Sequence, residues 1–436
     1  MLPLALLAGL GCGDDVVSAD ATGGAEGGAG AAESTTAVAT VSTGGVGTTS
    51  GSTTDETTEG SSGSSSSGGD EESSSGSTGS QLCPDGIEVA GIDGLCVAEP
   101  SVVESSPAYD VLVYEGLVAS NDVGVTQYRA VEGSLVEVST VALPGRGHDL
   151  FTAYFEPELT EDKERLPKEV RRLLVTVPDA DRLAVIDTDA SGTLGATTLV
   201  ETGARPIGIT YVASQFAPAI YYCTANADDG TVSLFAATAD ATLELVETAE
   251  VGGHPQGIAS IGEYVGLIDT DASTLTVGFL GEAGFEVLGT HAVPAGPVSV
   301  LGMAGSDTGP PLFLVVSQDA DQLTLVRAED GLVYQEATLS GGPSHAIVTH
   351  ALWLPKRFRD AEFWHWVGAI AQTETSQITI GMHGDGRGAP VLDRFIASFP
   401  TAEAPVALQM FDANGDGNLD FVTASPTSGL SVVLRQ

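Results

Sequence analysis

Five side chains in one short stretch have the chemistry to hold a hard cation: Asp412, Asn414, Asp416, Asn418 and Asp420, in the run Asp412-Ala-Asn-Gly-Asp-Gly-Asn-Leu-Asp420. Carboxylate or amide oxygens recur at alternate positions, and Gly417 sits where the chain must turn sharply. Calcium takes roughly six to eight oxygen ligands, most of which a tight acidic loop can supply. The expectation is calcium bound by the side chains of Asp412, Asn414, Asp416 and Asp420, with Asn418 contributing its backbone carbonyl. The competing reading is a polar Asn-Gly/Asp-Gly turn without metal. A second set, His148, Arg205, His254 and His345, lies close to prolines along the chain. If several of these imidazoles converged, they could bind a transition metal or act as general bases. No His-Glu-x-x-His, Gly-x-Ser-x-Gly, P-loop or Rossmann glycine pattern accompanies them.

The four cysteines are at 12, 83, 96 and 223. Cys12 ends the apolar run Leu2 to Gly11, which is too short to span a bilayer as a helix and fits the apolar region of a signal peptide. Cys83 and Cys96 bracket a small Gly- and Pro-containing segment. In an exported protein such a pair is expected to form a disulfide rather than a metal site. Cys223, in Ile220-Tyr-Tyr-Cys-Thr, reads as a buried free thiol.

The elements that position these groups begin after residue 80. Residues 13–80 are Gly, Ser, Thr, Ala and scattered acids with little to bury, and read as a disordered, flexible linker. Beyond them, short Val/Ile/Leu/Phe runs alternate with Gly, Asp and Pro turns. The exceptions are a charged insertion at Glu158 to Arg172, partly helical up to Pro167, and an aromatic cluster at Phe358 to Trp366. A unit of apolar run, polar turn and apolar run recurs near Asp110, Arg172, Ala219, Tyr264, Leu312, Trp366 and Leu419, about 45 to 62 residues apart. A proline-led strand precedes six copies, as in Gly203-Ala-Arg-Pro-Ile-Gly-Ile and Gly253-His-Pro-Gln-Gly-Ile; proline suits the start of a strand.

A period of this size built from short strands means propeller blades. The expected fold is all-β: a seven-bladed propeller of four-stranded antiparallel blades. The domains are a signal segment at 1–12, the linker at 13–80 and the propeller at 81–436. The first copy lacks its proline-led inner strand and the last lacks an outer strand. The segment 84–106 must therefore supply what is missing and complete the final blade, leaving no open edge. Strand order puts the proline-led loops on the same face as the hairpin tips Asp179/Asp181, Asp228/Asp229, Asp269/Asp271 and Asp319/Asp321. His148, Arg205, His254 and His345 then surround the channel mouth. The acidic tips are either a face for cations or a basic partner, or turn residues capping backbone N–H groups.

The loop at 412–420, followed at once by a strand, resembles the FG-GAP/VCBS repeat of integrin-type propellers, with the other copies degenerate. An EF-hand would need glutamate at the twelfth position, which is Thr423. The Gly-x-x-Pro-x-x-Ile loops resemble lactonase-like and YVTN-type propellers more loosely. Gly9-Leu-Gly-Cys12 resembles a bacterial lipobox, with Gly9 in place of leucine and no basic residue ahead of it. That resemblance implies lipidation of Cys12. Anchor and tether together resemble surface lipoproteins of myxobacteria and their relatives.

The net charge is −43, from 59 acidic and 16 Lys and Arg residues. Nucleic acid binding, which neutralises phosphates with Lys and Arg, is excluded as a function class. The expected function is a non-catalytic, calcium-stabilised interaction module, exported and lipid-anchored at the outer membrane or cell surface. Its expected partner is a protein or carbohydrate, with membrane contact through the anchor alone. The alternative is a hydrolase or lactonase-like enzyme using the channel-mouth histidines.

Overall fold

The computed structural model describes Cys83 and residues 86–436, apart from 91–94, 105, 132–133, 156–169, 190, 214–219, 239–240, 304–309, 351–365 and 384–393. Cys12, the linker 13–80, most of the charged insertion and all of the aromatic cluster except Trp366 lie outside the described residues. Among the described residues no helix is long and apolar enough to cross a membrane.

The chain is a seven-bladed β-propeller. Each of seven sheets has four antiparallel strands, and six are built from consecutive strands. Blade 1 spans 108–142, blade 2 spans 150–201, blade 3 spans 206–250 and blade 4 spans 257–292. Blade 5 spans 297–338 and blade 6 spans 343–400. Blade 7 takes its three inner strands from 407–433 and its outer strand, Ser101–Glu104, from the start of the domain. Ser101 pairs with Val432 and Val102 with Ser431, so the ring is closed by residues from its two ends.

Burial explains the composition of the strands. The two middle strands of a blade are covered by neighbouring blades on both faces, so they read as continuous apolar runs. Leu312–Ser317 and Gly429–Val433 are buried throughout. Outer strands expose more, as in Leu243–Glu250. Seven apolar clusters fill the seven interfaces between adjacent blades. One of them joins Val111, Leu117 and Tyr128 of blade 1 to Val422, Leu430 and Val432 of blade 7, so the last interface is packed like the others.

The outer strand of every blade carries a β-bulge where it meets its neighbour. Bulges twist an edge strand and hinder pairing with another chain, which matters on a rim made of unpaired edges.

One sequence expectation is corrected. Asp110-Val-Leu-Val is the innermost strand of blade 1, Ala108–Val113, with Pro107 just ahead of it. Blade 1 therefore has its proline-led strand, and the N-terminal segment supplies one outer strand only. Its second strand, Leu117–Asn121, follows after a three-residue turn with Glu115 and Gly116 at positive φ (46° and 131°). Two strands this close read in sequence as one apolar run.

Before the closing strand, Ile87–Glu88 and Cys96–Val97 pair in a small hairpin. The Cys83–Cys96 disulfide is present, as expected, and Cys223 is a buried free cysteine. Val89, Leu95 and Val97 pack into the cluster between blades 6 and 7. The Gln436 amide donates to the Cys96 carbonyl at 2.9 Å, so the hairpin also holds the C-terminus.

Candidate functional site

The acidic loop connects the inner strand Ala407–Phe411 to the second strand Asp420–Ser425 of blade 7. Its carboxylates organise the turn. Asp412 accepts from the Gly415 and Gly417 amides at 2.7 and 2.9 Å, and Gly415 and Gly417 take positive φ of 77° and 86°. Asn414 and Asp416 accept from the Asp416 and Asn418 amides at 2.9 and 2.7 Å. Asp420 is fully buried and accepts from the Ala413 and Arg435 amides at 2.9 and 2.7 Å. The Arg435 guanidinium donates to the Asn418 side chain.

Burial raises the Asp420 pKa to about 6. The two amide donors oppose that rise, and the charges of Asp416 and Asp412 add to it. Asp416 is held below the usual range: its slight burial works against this, but the Asn418 amide, the Asn414 and Asn418 side chains and the Arg435 charge outweigh it. The donor set is all oxygen, and a buried carboxylate strained by two like charges is an environment that a dication relieves. In that respect the loop fits calcium. Among the described residues, no three His, Cys, Asp or Glu side chains converge as a ready metal site.

On the opposite, proline-led face, the acidic tips hold their own neighbours. Asp179 accepts from the Arg146 amide, Asp181 from the Arg205 amide and Asp229 from the Ala204 amide, at 3.2, 2.8 and 2.8 Å. Asp269 accepts from the His254 amide at 2.7 Å, and Asp321 from the Gly341 and Gly342 amides at 3.0 and 2.9 Å. Asp228 pairs with the Arg205 guanidinium at 3.2 Å. These bonds clamp the proline-led loops to the hairpin tips, so the capping reading accounts for Asp179, Asp181, Asp229, Asp269 and Asp321.

The histidines belong to alternate blades. His148 precedes the inner strand of blade 2, and its Nδ1 lies 2.9 Å from the Ile207 carbonyl of blade 3. A carbonyl can only accept, so Nδ1 carries the proton. Burial lowers the His148 pKa to about 4 against that hydrogen bond, so the ring is neutral at pH 7. It stacks on Tyr109, with ring centroids 6.5 Å apart. His254, at the start of blade 4, is exposed, and its Nδ1 lies 2.9 Å from the Ala227 carbonyl of blade 3. His345 is in the inner strand of blade 6, where burial lowers its pKa to about 4. His148 and His254 thus tie neighbouring blades together, and the three imidazoles do not form a metal-holding group.

Sequence reasoning missed an aspartate pair. Strand register sets one equivalent position in each inner strand: Asp110, Gly208, Gly257, Ser299, His345 and Ala407 oppose Ser120, Ala225, Ile268, Val316, Ala371 and Ala424. Asp149 holds the same place in blade 2, its carbonyl accepting from the Thr176 amide at 3.1 Å. Asp110 and Asp149, on adjacent blades, both accept from the Leu150 amide, at 2.9 and 3.0 Å. Burial raises the pKa of both, and for Asp149 the charge of Asp110 adds to it. The available signal was an acid inside an apolar inner strand, at Asp110, and another directly beside His148.

The chain matches no protein-family model and no curated protein sequence. Solved structures share its architecture. BBS1N, crystallised in complex with ARL6DN, is similar with a TM-score of 0.52 at 9% identity, over 78% of this chain and 97% of that one. Virginiamycin B lyase from Staphylococcus aureus is similar with a TM-score of 0.49 at 12% identity, over 77% and 98% of the two chains. At 9% identity the likeness to BBS1N shows a shared fold and nothing more.

Proposed function

We propose that this propeller is a non-catalytic protein-binding module, exported and held at the cell surface by a lipid on Cys12, with calcium stabilising the FG-GAP-like loop at 412–420. The observation that carries the binding reading is the rim. Apolar side chains stand exposed on the outer strands of three consecutive blades: Leu245 and Val246, Val287 and Leu288, and Val333 and Tyr334. Exposed apolar groups that adjoin one another mark interaction surfaces, whereas single scattered ones do not. BBS1N offers a precedent, since that similar propeller is found in complex with another protein. The apolar run before Cys12 supports export and anchoring, and the all-oxygen donor set of the loop supports calcium.

A photo-crosslinking amino acid placed at 246, 288 or 334, and at 229 or 319 on the proline-led face, tests the reading on intact cells of the native host. Discrete adducts from the rim positions, lost when Cys12→Ser releases the protein from the membrane, are expected. Adducts confined to 229 or 319, or none at the rim, would overturn it.

A further inference from the structure

Asp110 and Asp149 are held around one backbone amide. Asp110 accepts from its own following amide, Val111, at 2.8 Å, and from the Leu150 amide of blade 2 at 2.9 Å. Asp149 accepts from the Leu150 amide at 3.0 Å and from the Ile209 amide of blade 3 at 2.7 Å. One N–H thus serves two carboxyls, whose oxygens lie 2.9 and 3.0 Å from the same nitrogen. Two carboxylates have no proton of their own to offer, and a single amide proton cannot satisfy both. Two like charges this close in a partly buried site do not both ionise readily.

Gly208 holds the equivalent position on blade 3, where a Cβ would press on Ile258 Cγ2 of blade 4 at 2.8 Å and stand in ordinary contact with Asp149 Oδ2 at 3.6 Å. Ser120 and Thr176 brace the same corner. The Ser120 hydroxyl donates to the His148 carbonyl at 2.7 Å, and the Asp149 amide donates to the Thr176 hydroxyl at 2.9 Å.

The charged surroundings do not explain the pair away. From the inner strand of blade 1, the neighbour is Tyr109, whose hydroxyl donates to Asp122 at 2.6 Å. From the loop before blade 2 come His148, turned to the Ile207 carbonyl, and Arg146, over the Tyr109 ring at 4.9 Å. Arg146, Arg205 and Asp179 act electrostatically on His148. The inner strand of blade 3, Pro206–Ala213, contributes amides, and its one ionisable side chain is Tyr211. On the blade 7 side, Ala407–Phe411 has no ionisable residue, and Asp420 pairs with Phe411 at the far end of that strand.

We propose that Asp110 and Asp149 share a single proton as a clamp across the inner strands of blades 1, 2 and 3, and that losing this proton as pH rises loosens that sector of the propeller. The direction follows from linkage. The folded pair holds a proton that two separate aspartates release at lower pH, so the folded state binds more protons over that interval and its stability falls as pH rises through it. The surrounding hydrogen bonds confine the effect to the blade 1–2–3 junction.

Asp149→Asn mimics the protonated partner permanently, since its amide donates to Asp110 while its oxygen accepts from Ile209. Thermal melts of the full chain and this variant, from pH 5 to pH 8, should diverge. The variant's melting temperature relative to wild type should rise by several degrees across the range. Parallel curves would overturn the proposal. Should the variant fail to fold, difference infrared spectra of wild type labelled with ¹³C-aspartate decide alone. A protonated-carboxyl band persisting at pH 7 is expected, and a fully ionised spectrum at pH 7 would refute the shared proton.

Discussion

Replacing Asp420 with asparagine separates calcium binding from simple turn formation, because two opposed costs meet at this residue. In the calcium-free protein the buried carboxyl has its pKa raised from 3.8 to about 6. Each pKa unit is worth about 1.4 kcal/mol, so ionising Asp420 costs at most ~3 kcal/mol above pH 6. Water around the exposed Asp416 side of the loop reduces this to about 1–2 kcal/mol. Asparagine removes that cost. It also has one acceptor oxygen where the carboxylate offers two, and leaving the Ala413 or Arg435 amide unpaired costs about 1–3 kcal/mol. The two nearly cancel, so Asp420→Asn without calcium should lie within about 1 kcal/mol of wild type at pH 8.

Calcium breaks the balance. At a free concentration about 100 times Kd, a ligand specific to the folded state stabilises by ~2.7 kcal/mol, or about 5 °C in a domain of this size. Wild type should gain this and the variant little of it. The pH dependence should follow. Because the folded pKa lies above the unfolded one, Asp420 lowers stability as pH rises from about 4 to about 6, with no further change above. Bound calcium should suppress that decline. Calorimetry of both proteins, with calcium and with chelator, at pH 4.5, 6 and 8 is the assay. An asparagine variant that responds to calcium as wild type does, or a wild type that does not respond, would refute the assignment.

Two further outcomes follow from the fold. The Cys83–Cys96 disulfide closes a loop with a sequence separation of 13, and cross-linking a loop of that size stabilises by about 3 kcal/mol. Thermal melts with reductant, or of Cys83→Ser, should fall accordingly, and an unchanged midpoint would mean the hairpin contributes nothing to the ring. The Tyr222 hydroxyl donates to the Tyr154 carbonyl at 3.0 Å and accepts from its amide at 2.9 Å across the blade 2–3 interface, while burial pushes its pKa up to about 12. Tyr222→Phe should cost about 1–3 kcal/mol in urea unfolding, since it leaves those backbone groups unpaired.

Much of the architecture was legible in sequence, because propeller packing writes itself into composition. Middle strands covered on both faces must be apolar throughout, so runs such as Leu312-Phe-Leu-Val-Val stand out. Proline stands ahead of the inner strands, and the incomplete last repeat points to the segment before blade 1 as the source of its outer strand. Cys83 and Cys96, close in sequence around a turn, were likewise readable as a pair. Blade 1 misled because its two inner strands are separated by only Tyr114-Glu-Gly116, and strand identity within a blade depends on pairing, which local pattern does not encode.

What the acids do was decided only in three dimensions. The sequence placed Asp179, Asp181, Asp229, Asp269 and Asp321 on one face. Whether they meet a partner or cap a loop depended on where the amides of residues distant in sequence point. The same holds for the histidines, which a list of proline-led loops gathers at a channel mouth and the blade geometry distributes over alternate blades. Asp110 and Asp149 are 39 positions apart and carry no motif. They meet because each occupies the same register position in adjacent inner strands. Local chemistry and periodicity are properties of the chain and determine strands, turns and their repeat. Proximity across blades is a property of the closed ring, and with it come the shared proton, the clamped loops and the buried charge at Asp420.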